Sequence, residues 1–217
     1  MGRWDDKEKA LDLNNDGVDL FEQGDFEGSI ACYNESIWLN PEDEIVWVNK
    51  GISLYELETY GEAIKCFDNA IHLNAQYDDA WFYKGSALFE QEKYPECIKC
   101  FDKVIRINPE CAEAQNNIGM SLLRLNQFEE SIPYFVQSIE IDSEVSIPWR
   151  NRGMALLELG KYDEAITCFD QAIVLDPYDS DTWVNKGNLL KKLGKHAEAI
   201  TCFDQAISLK GGLDESE

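Results

Sequence analysis

The residues with which this chain could do chemistry are seven cysteines, two histidines and 42 carboxylates. Cys97 and Cys100 form one C-x2-C pair, a spacing that suits half of a zinc site or a redox disulfide. A structural zinc needs four ligands, and no second pair follows at the usual interval. Cys97 and Cys100 also fall within a helical pattern, where they read as small apolar packing residues. The series Cys32, Cys66, Cys100, Cys168 and Cys202 keeps a fixed beat. Neighbouring helices pack roughly 8–10 Å apart, beyond the ~7 Å Cα separation that a disulfide tolerates. His72 and His196 have no partner at catalytic spacing, and no glycine-rich loop is placed to hold a phosphate. The expectation is a chain without catalytic residues, metal or cofactor: not an enzyme.

Composition narrows the classes further. A formal net charge of −23 argues against nucleic acid as a partner, because phosphate binding needs a basic surface. No apolar run approaches the roughly 18–20 residues needed to span a bilayer, so no membrane is expected. The opening MGRWDDKEKALDL has no apolar signal core, and an odd cysteine count suits no secreted disulfide scaffold. A cytoplasmic protein with reduced thiols is expected.

What recurs is asparagine. WVNKG occurs at Trp47–Gly51 and again at Trp183–Gly187, four times 34 residues apart. At intervals of 34 from Leu13 the chain reads LNNDG, WVNKG, WFYKG, QNNIG, WRNRG and WVNKG. A second segment keeps the interval, from SIACYNESI at Ser29 to AITCFDQAI at Ala165 and Ala199. Six units tile 10–43, 44–77, 78–111, 112–145, 146–179 and 180–213 without insertion, between a lead-in at 1–9 and an acidic tail at 214–217. An unbroken period of this length decides the architecture before any local feature does.

Each unit predicts two helices. In the fifth, Trp149, Gly153, Leu156 and Leu159 share one helical face, and Gly160 stands where a left-handed C-cap is needed. Tyr162, Ala165, Ile166, Phe169, Ala172 and Ile173 form the apolar stripe of the second helix. Asp176-Pro177 closes the unit, since the residue before proline leaves the helical region. Gly153 and Ala165 allow close approach where the helices cross, with Trp149 and Phe169 beside them. One hairpin cannot bury its apolar face alone and must stack on its neighbours.

The pattern W-x2-[LKR]-G-x2-[LY]…A-x3-F…P at a 34-residue period resembles the tetratricopeptide repeat, over 204 of the 217 residues. The resemblance implies an all-α, right-handed solenoid of six helix-turn-helix units whose first helices line a concave groove. It also implies a protein-binding scaffold. Departures occur: Leu13 and Gln115 replace the tryptophan, and Ala75, Ser143 and Gly211 replace the closing proline. Pro133 lies inside a second helix, where it removes a backbone donor and predicts a bend and a weak repeat.

In such arrays the groove is built mainly from positions 2, 5, 6, 9, 12 and 13, position 1 here being Ala10, Glu44, Asp78, Ala112, Ser146 and Ser180. Position 6 carries Asn15, Asn49, Tyr83, Asn117, Asn151 and Asn185. An amide side chain can pair with both groups of a peptide backbone. An extended peptide rises about 3.1–3.4 Å per residue, so one asparagine per repeat would meet every third residue. Val18, Ile52, Met120 and Met154 at position 9, Phe82 at position 5, and Tyr55 and Phe89 at position 12 would form an apolar and aromatic floor. Glu22, Glu56, Glu90 and Glu158 would line its rim, so the expected partner is a protein or peptide with apolar anchors and some basic residues. Chaperone-tail clamps of the family use lysine at position 5, which is never lysine here. Asparagine at position 6 is also common across the family and can reflect descent alone.

Charge is uneven along the chain. Repeat one has nine acids and no Lys or Arg, whereas repeat six has three acids and five bases. Ile200, Phe203 and Ile207 form a stacking edge after which no further repeat follows in this sequence. Truncation of a longer array, or a modestly exposed edge, accounts for this; a second reading is a structural or assembly protein, a homo-oligomer joined head to tail from basic end to acidic end.

Overall fold

The computed structural model describes residues 3–211. The acidic tail at 214–217 lies outside them. The described residues form twelve α-helices and no strand. They pair as α1 (Arg3–Glu22) with α2 (Phe26–Leu39), α3 (Glu44–Glu56) with α4 (Tyr60–Leu73), and α5 (Asp78–Glu90) with α6 (Tyr94–Ile107). The remaining pairs are α7 (Ala112–Arg124) with α8 (Phe128–Ile141), α9 (Ser146–Glu158) with α10 (Tyr162–Leu175), and α11 (Ser180–Lys192) with α12 (His196–Gly211). From Arg3 onward the lead-in belongs to α1, so the first helix outruns its repeat.

The chain divides into two compact units, Met1–Pro109 with repeats one to three and Glu110–Glu217 with repeats four to six. In the first unit α2 packs on α3 and α4 on α5, while α1 touches α3 and α3 touches α5. The second unit repeats the scheme: α8 on α9, α10 on α11, with α7 against α9 and α9 against α11. In each unit the first helices are therefore neighbours and form one face.

One contact sets each hairpin. The aromatic rings of Tyr33, Phe67, Phe101, Phe135, Phe169 and Phe203 rest on Gly17, Gly51, Gly85, Gly119, Gly153 and Gly187, always sixteen residues earlier. A methyl group added at Gly153 would lie 2.7 Å from Phe169 Cε1, closer than carbon atoms approach. Phe67, Phe135 and Phe169 are fully buried as a result. Trp47, Trp81 and Trp183 add a second fixed link, their indole N–H donating to the carbonyls of Pro41, Ala75 and Pro177 at 3.0–3.1 Å.

The closing proline matters less than its neighbour. Asn40, Asn74, Asn108, Asp142 and Asp176 all end their helices outside the helical region, the last four in extended conformation, whether or not proline follows. Asn74, Asp142 and Asp176 each accept a hydrogen bond from the backbone N–H two residues on, at 3.0 Å. This local turn competes with the helix and stops it. Lys210 occupies that position in the sixth repeat, and α12 continues to Gly211. α8 runs through Pro133, whose ring is exposed; the carbonyl its N–H would have served belongs to Glu129, also exposed.

The turn between paired helices needs a left-handed residue. Gly24, Gly160 and Gly194 supply it at φ +73° to +81°, but Glu58, Glu92 and Asn126 occupy it in the other repeats at φ 57–59°. A side chain with a Cβ costs energy there. Glu92→Gly is expected to raise stability by about 0.5–1 kcal/mol, read as a higher urea midpoint. Gly153→Ala is expected to lower it by about 1–3 kcal/mol, because Phe169 has no space to move into. A neutral Gly153→Ala melt contradicts the ring-on-glycine account.

Candidate functional site

In each unit the face of the first helices holds candidate groove residues, and their environments differ. Asn15 is exposed on α1, while Asn49, Tyr83, Asn117 and Asn185 are half-buried. Asn151 is only 2% exposed. Its amide donates to Asn116 Oδ1 at 2.9 Å, and in the first unit the Asn49 amide donates to Asn14 Oδ1 at 3.0 Å. These bonds join position 6 of one repeat to position 5 of the repeat before. Two members of the position-6 series therefore link neighbouring repeats. Asn116 Nδ2 also reaches towards Asn117 Oδ1, at the outer limit of 3.5 Å.

Tyr83 fits the same scheme with apolar chemistry. Position 5 of the preceding repeat is Val48, 2% exposed, and Tyr83 packs against the core cluster that contains it. The Tyr83 ring stacks on Phe67 at 6.0 Å and meets Phe82 edge-on at 5.7 Å. An asparagine at 83 would offer an amide to a valine. Tyr83 thus meets its own unit's core through apolar contact, where Asn49 and Asn151 meet the preceding repeat through an amide bond. Arg150, at position 5 of repeat five, instead pairs with Asp179 at 2.7 Å.

The apolar floor is partly occupied by packing. Ile52 and Tyr55 lie against the first unit's core, and Met154 and Leu157 against that of the second. Phe82 meets Phe101 at 5.4 Å, Tyr55 meets Tyr60 at 5.3 Å, and Phe89 meets Tyr94 at 5.3 Å, all edge to face. Val18 and Met120 are half-buried on α1 and α7. These side chains hold the hairpins with one side and present the other outward. Burial, then the Glu90 carboxylate, pushes the Tyr55 hydroxyl up to about 12, so it remains a neutral donor near pH 7.

The remaining chemistry-bearing groups are structural in placement. Cys97 and Cys100 are 0% and 4% exposed, and burial pushes the Cys100 thiol up to about 11, against thiolate formation. Among the described residues no group of three or more His, Cys, Asp or Glu is disposed to hold a metal ion, and no helix is long and apolar enough to cross a membrane.

Sequence spacing carried the asparagine pairs in a form easy to overlook. Asn14 and Asn49, like Asn116 and Asn151, are 35 residues apart, one more than the repeat. Asn116→Ala is expected to destabilise the protein by about 1–3 kcal/mol by leaving the buried Asn151 amide unpaired. Chemical denaturation checks this, with exposed Asn15→Ala as the near-neutral reference.

Family models described as tetratricopeptide repeat match residues 16–67, 78–111, 112–145, 147–179 and 180–211. No curated protein sequence is significantly similar to the chain. Solved structures are similar in fold. YrrB, described as a TPR protein with an unusual peptide-binding site, is 24% identical, with a TM-score of 0.66 over 82% of this chain and 92% of its own. MamA from Desulfovibrio magneticus is 20% identical, with a TM-score of 0.74 over 79% and 97%. A tetratricopeptide repeat protein from Parabacteroides merdae is 17% identical, with a TM-score of 0.81 over 93% and 80%.

Proposed function

The chain belongs to the tetratricopeptide repeat family of protein–protein interaction scaffolds, and we propose that it holds an extended peptide segment along the face of its first helices. The observation that carries this reading is the contact of α7 with α9 and of α9 with α11, which aligns positions 6 and 9 of successive repeats. In the second unit that face offers the half-buried amides of Asn117 and Asn185 beside half-buried Met120 and Met154. Amides grip a peptide backbone without regard to sequence, and the methionines adapt to varied apolar anchors. Glu158 and the overall charge of −23 favour Lys or Arg in the ligand. The Asn116–Asn151 bond contributes rigidity, so the ladder in this unit rests on Asn117 and Asn185. YrrB, by its description a peptide-binding relative in fold, lends support by analogy.

Peptides selected from a random display library are expected to carry apolar anchors with Lys or Arg between them. Asn117→Ala combined with Asn185→Ala should weaken the best of them roughly tenfold by calorimetric titration, the loss of two hydrogen bonds. Selected peptides that are acidic, or that bind the double variant equally well, would show that another surface is used.

A second reading, head-to-tail self-association, is favoured by one observation. Ile200 and Ile207 are 58% and 68% exposed, whereas the equivalent Ile132, Ile139, Ile166 and Ile173 are half-buried under the next first helix. Repeat six is also net positive and repeat one strongly negative. Light scattering separates the two: molar mass that grows with concentration and falls with salt supports assembly, and a constant monomer mass removes it.

A further inference from the structure

The larger exposed apolar side chains of the second unit are not spread evenly. Six of them lie on one edge, where each second helix turns into the next repeat: Ile141, Val145 and Ile147 about the α8–α9 loop, and Val174, Leu175 and Tyr178 about the α10–α11 loop. Among the described large apolar side chains of this unit, the opposite edge, with the turns inside the hairpins, exposes Leu193 alone. Val174 and Tyr178 are 73% and 79% exposed. The two loops are tied together, since Arg150, one turn beyond Ile147, pairs with Asp179 beside Tyr178 at 2.7 Å. Exposed side chains of this size gathered on one edge mark an interaction surface.

We propose that this inter-repeat edge of the second unit docks a basic amphipathic helix, independently of the first-helix face. Its charge specifies the sign of the partner. Glu140, Asp142, Glu144 and Asp176 flank the apolar residues, Arg150 is already paired with Asp179, and the exposed Lys210 lies 3.9 Å from Asp181. Backbone chemistry specifies its form. The edge has no strand to extend, so an extended segment lying over apolar side chains would leave its own N–H and C=O groups unpaired. A helix satisfies them internally. Its anchors at i and i+7 are about 10.5 Å apart, matching the roughly 8–10 Å between packed helices of successive repeats. The acidic first five repeats of a second copy are repelled by the same carboxylates, and the basic sixth belongs to the separate end-to-end reading.

The probe is a fluorescent 18-residue peptide of leucine and lysine with its leucines on one helical face. The controls are a scrambled peptide of the same composition and a version with glutamate for lysine. Anisotropy titration should show binding of the faced peptide at least about tenfold tighter than the scrambled one, and none of the acidic one. Val174→Ser with Tyr178→Ser should weaken it at least about tenfold, as loss of two anchors does. Both side chains are exposed, so a circular dichroism melt should match that of the parent protein. If it does not, Ile147→Ser replaces the pair. Equal binding of the scrambled peptide reduces the effect to bulk charge and overturns the proposal. So does unchanged affinity of the edge variants, or a loss on Asn117→Ala that places the peptide on the other face. Capture by zwitterionic phosphatidylcholine vesicles that disappears in the edge variants would assign the edge to a lipid surface and overturn the proposal.

Discussion

Six aromatic rings, from Tyr33 to Phe203, lie on six glycines, from Gly17 to Gly187, and that contact sets the spacing of the two helices in every hairpin. With no side chain at the crossing, the two helices of a hairpin come close enough for the ring to seal the gap. The small residues at the head of each second helix, such as Ala63 and Ala165 at 0% exposure, serve the same approach. Because the contact recurs with one geometry, each hairpin offers its successor the same stacking surface. A repeat protein gains its length by copying an interface, and here the copied interface is dominated by one ring.

The hairpins and their order were legible in the sequence because their determinants are local and periodic. Glycine, aromatic ring and apolar stripe recur at 34 residues, and the helices fall where that pattern places them. The helix stops were read through the prolines, whereas the asparagine or aspartate before them does the work in Asn74 and Asp142, where no proline follows. That signal is as regular as the proline but looks like ordinary loop composition. The candidate site was legible as a set of positions and less so as a set of roles. Asn151 and Asn117 are indistinguishable in sequence, yet one is buried against Asn116 and the other half-buried at the surface. Which of two identical amides is already bonded depends on the residue one repeat earlier, and a periodic reading averages over that difference.

Surface and interior divide the same side chains between them. Tyr55 and Phe89 meet Tyr60 and Tyr94 through one ring edge and remain only half-buried, so each hairpin contact leaves part of a ring at the surface. Reorienting either ring would give up a contact that holds its hairpin. The inter-repeat edge of the second unit is different. Val174 and Tyr178 are nearly bare and are free to vary without cost to the fold.

The bonds between Asn14 and Asn49 and between Asn116 and Asn151, with Tyr83 set against the cluster that holds Val48, have a consequence for how the gene can change. Repeats five and six share the segment AITCFDQAI, and near-identical stretches invite unequal recombination. Yet the junctions carry complementary labels. Loss of the second repeat would bring Asn14 to face Tyr83, stranding an amide now bonded to Asn49. The repeats look like interchangeable copies, but their junctions make the array an ordered series, with a penalty of about 1–3 kcal/mol on a misplaced buried amide.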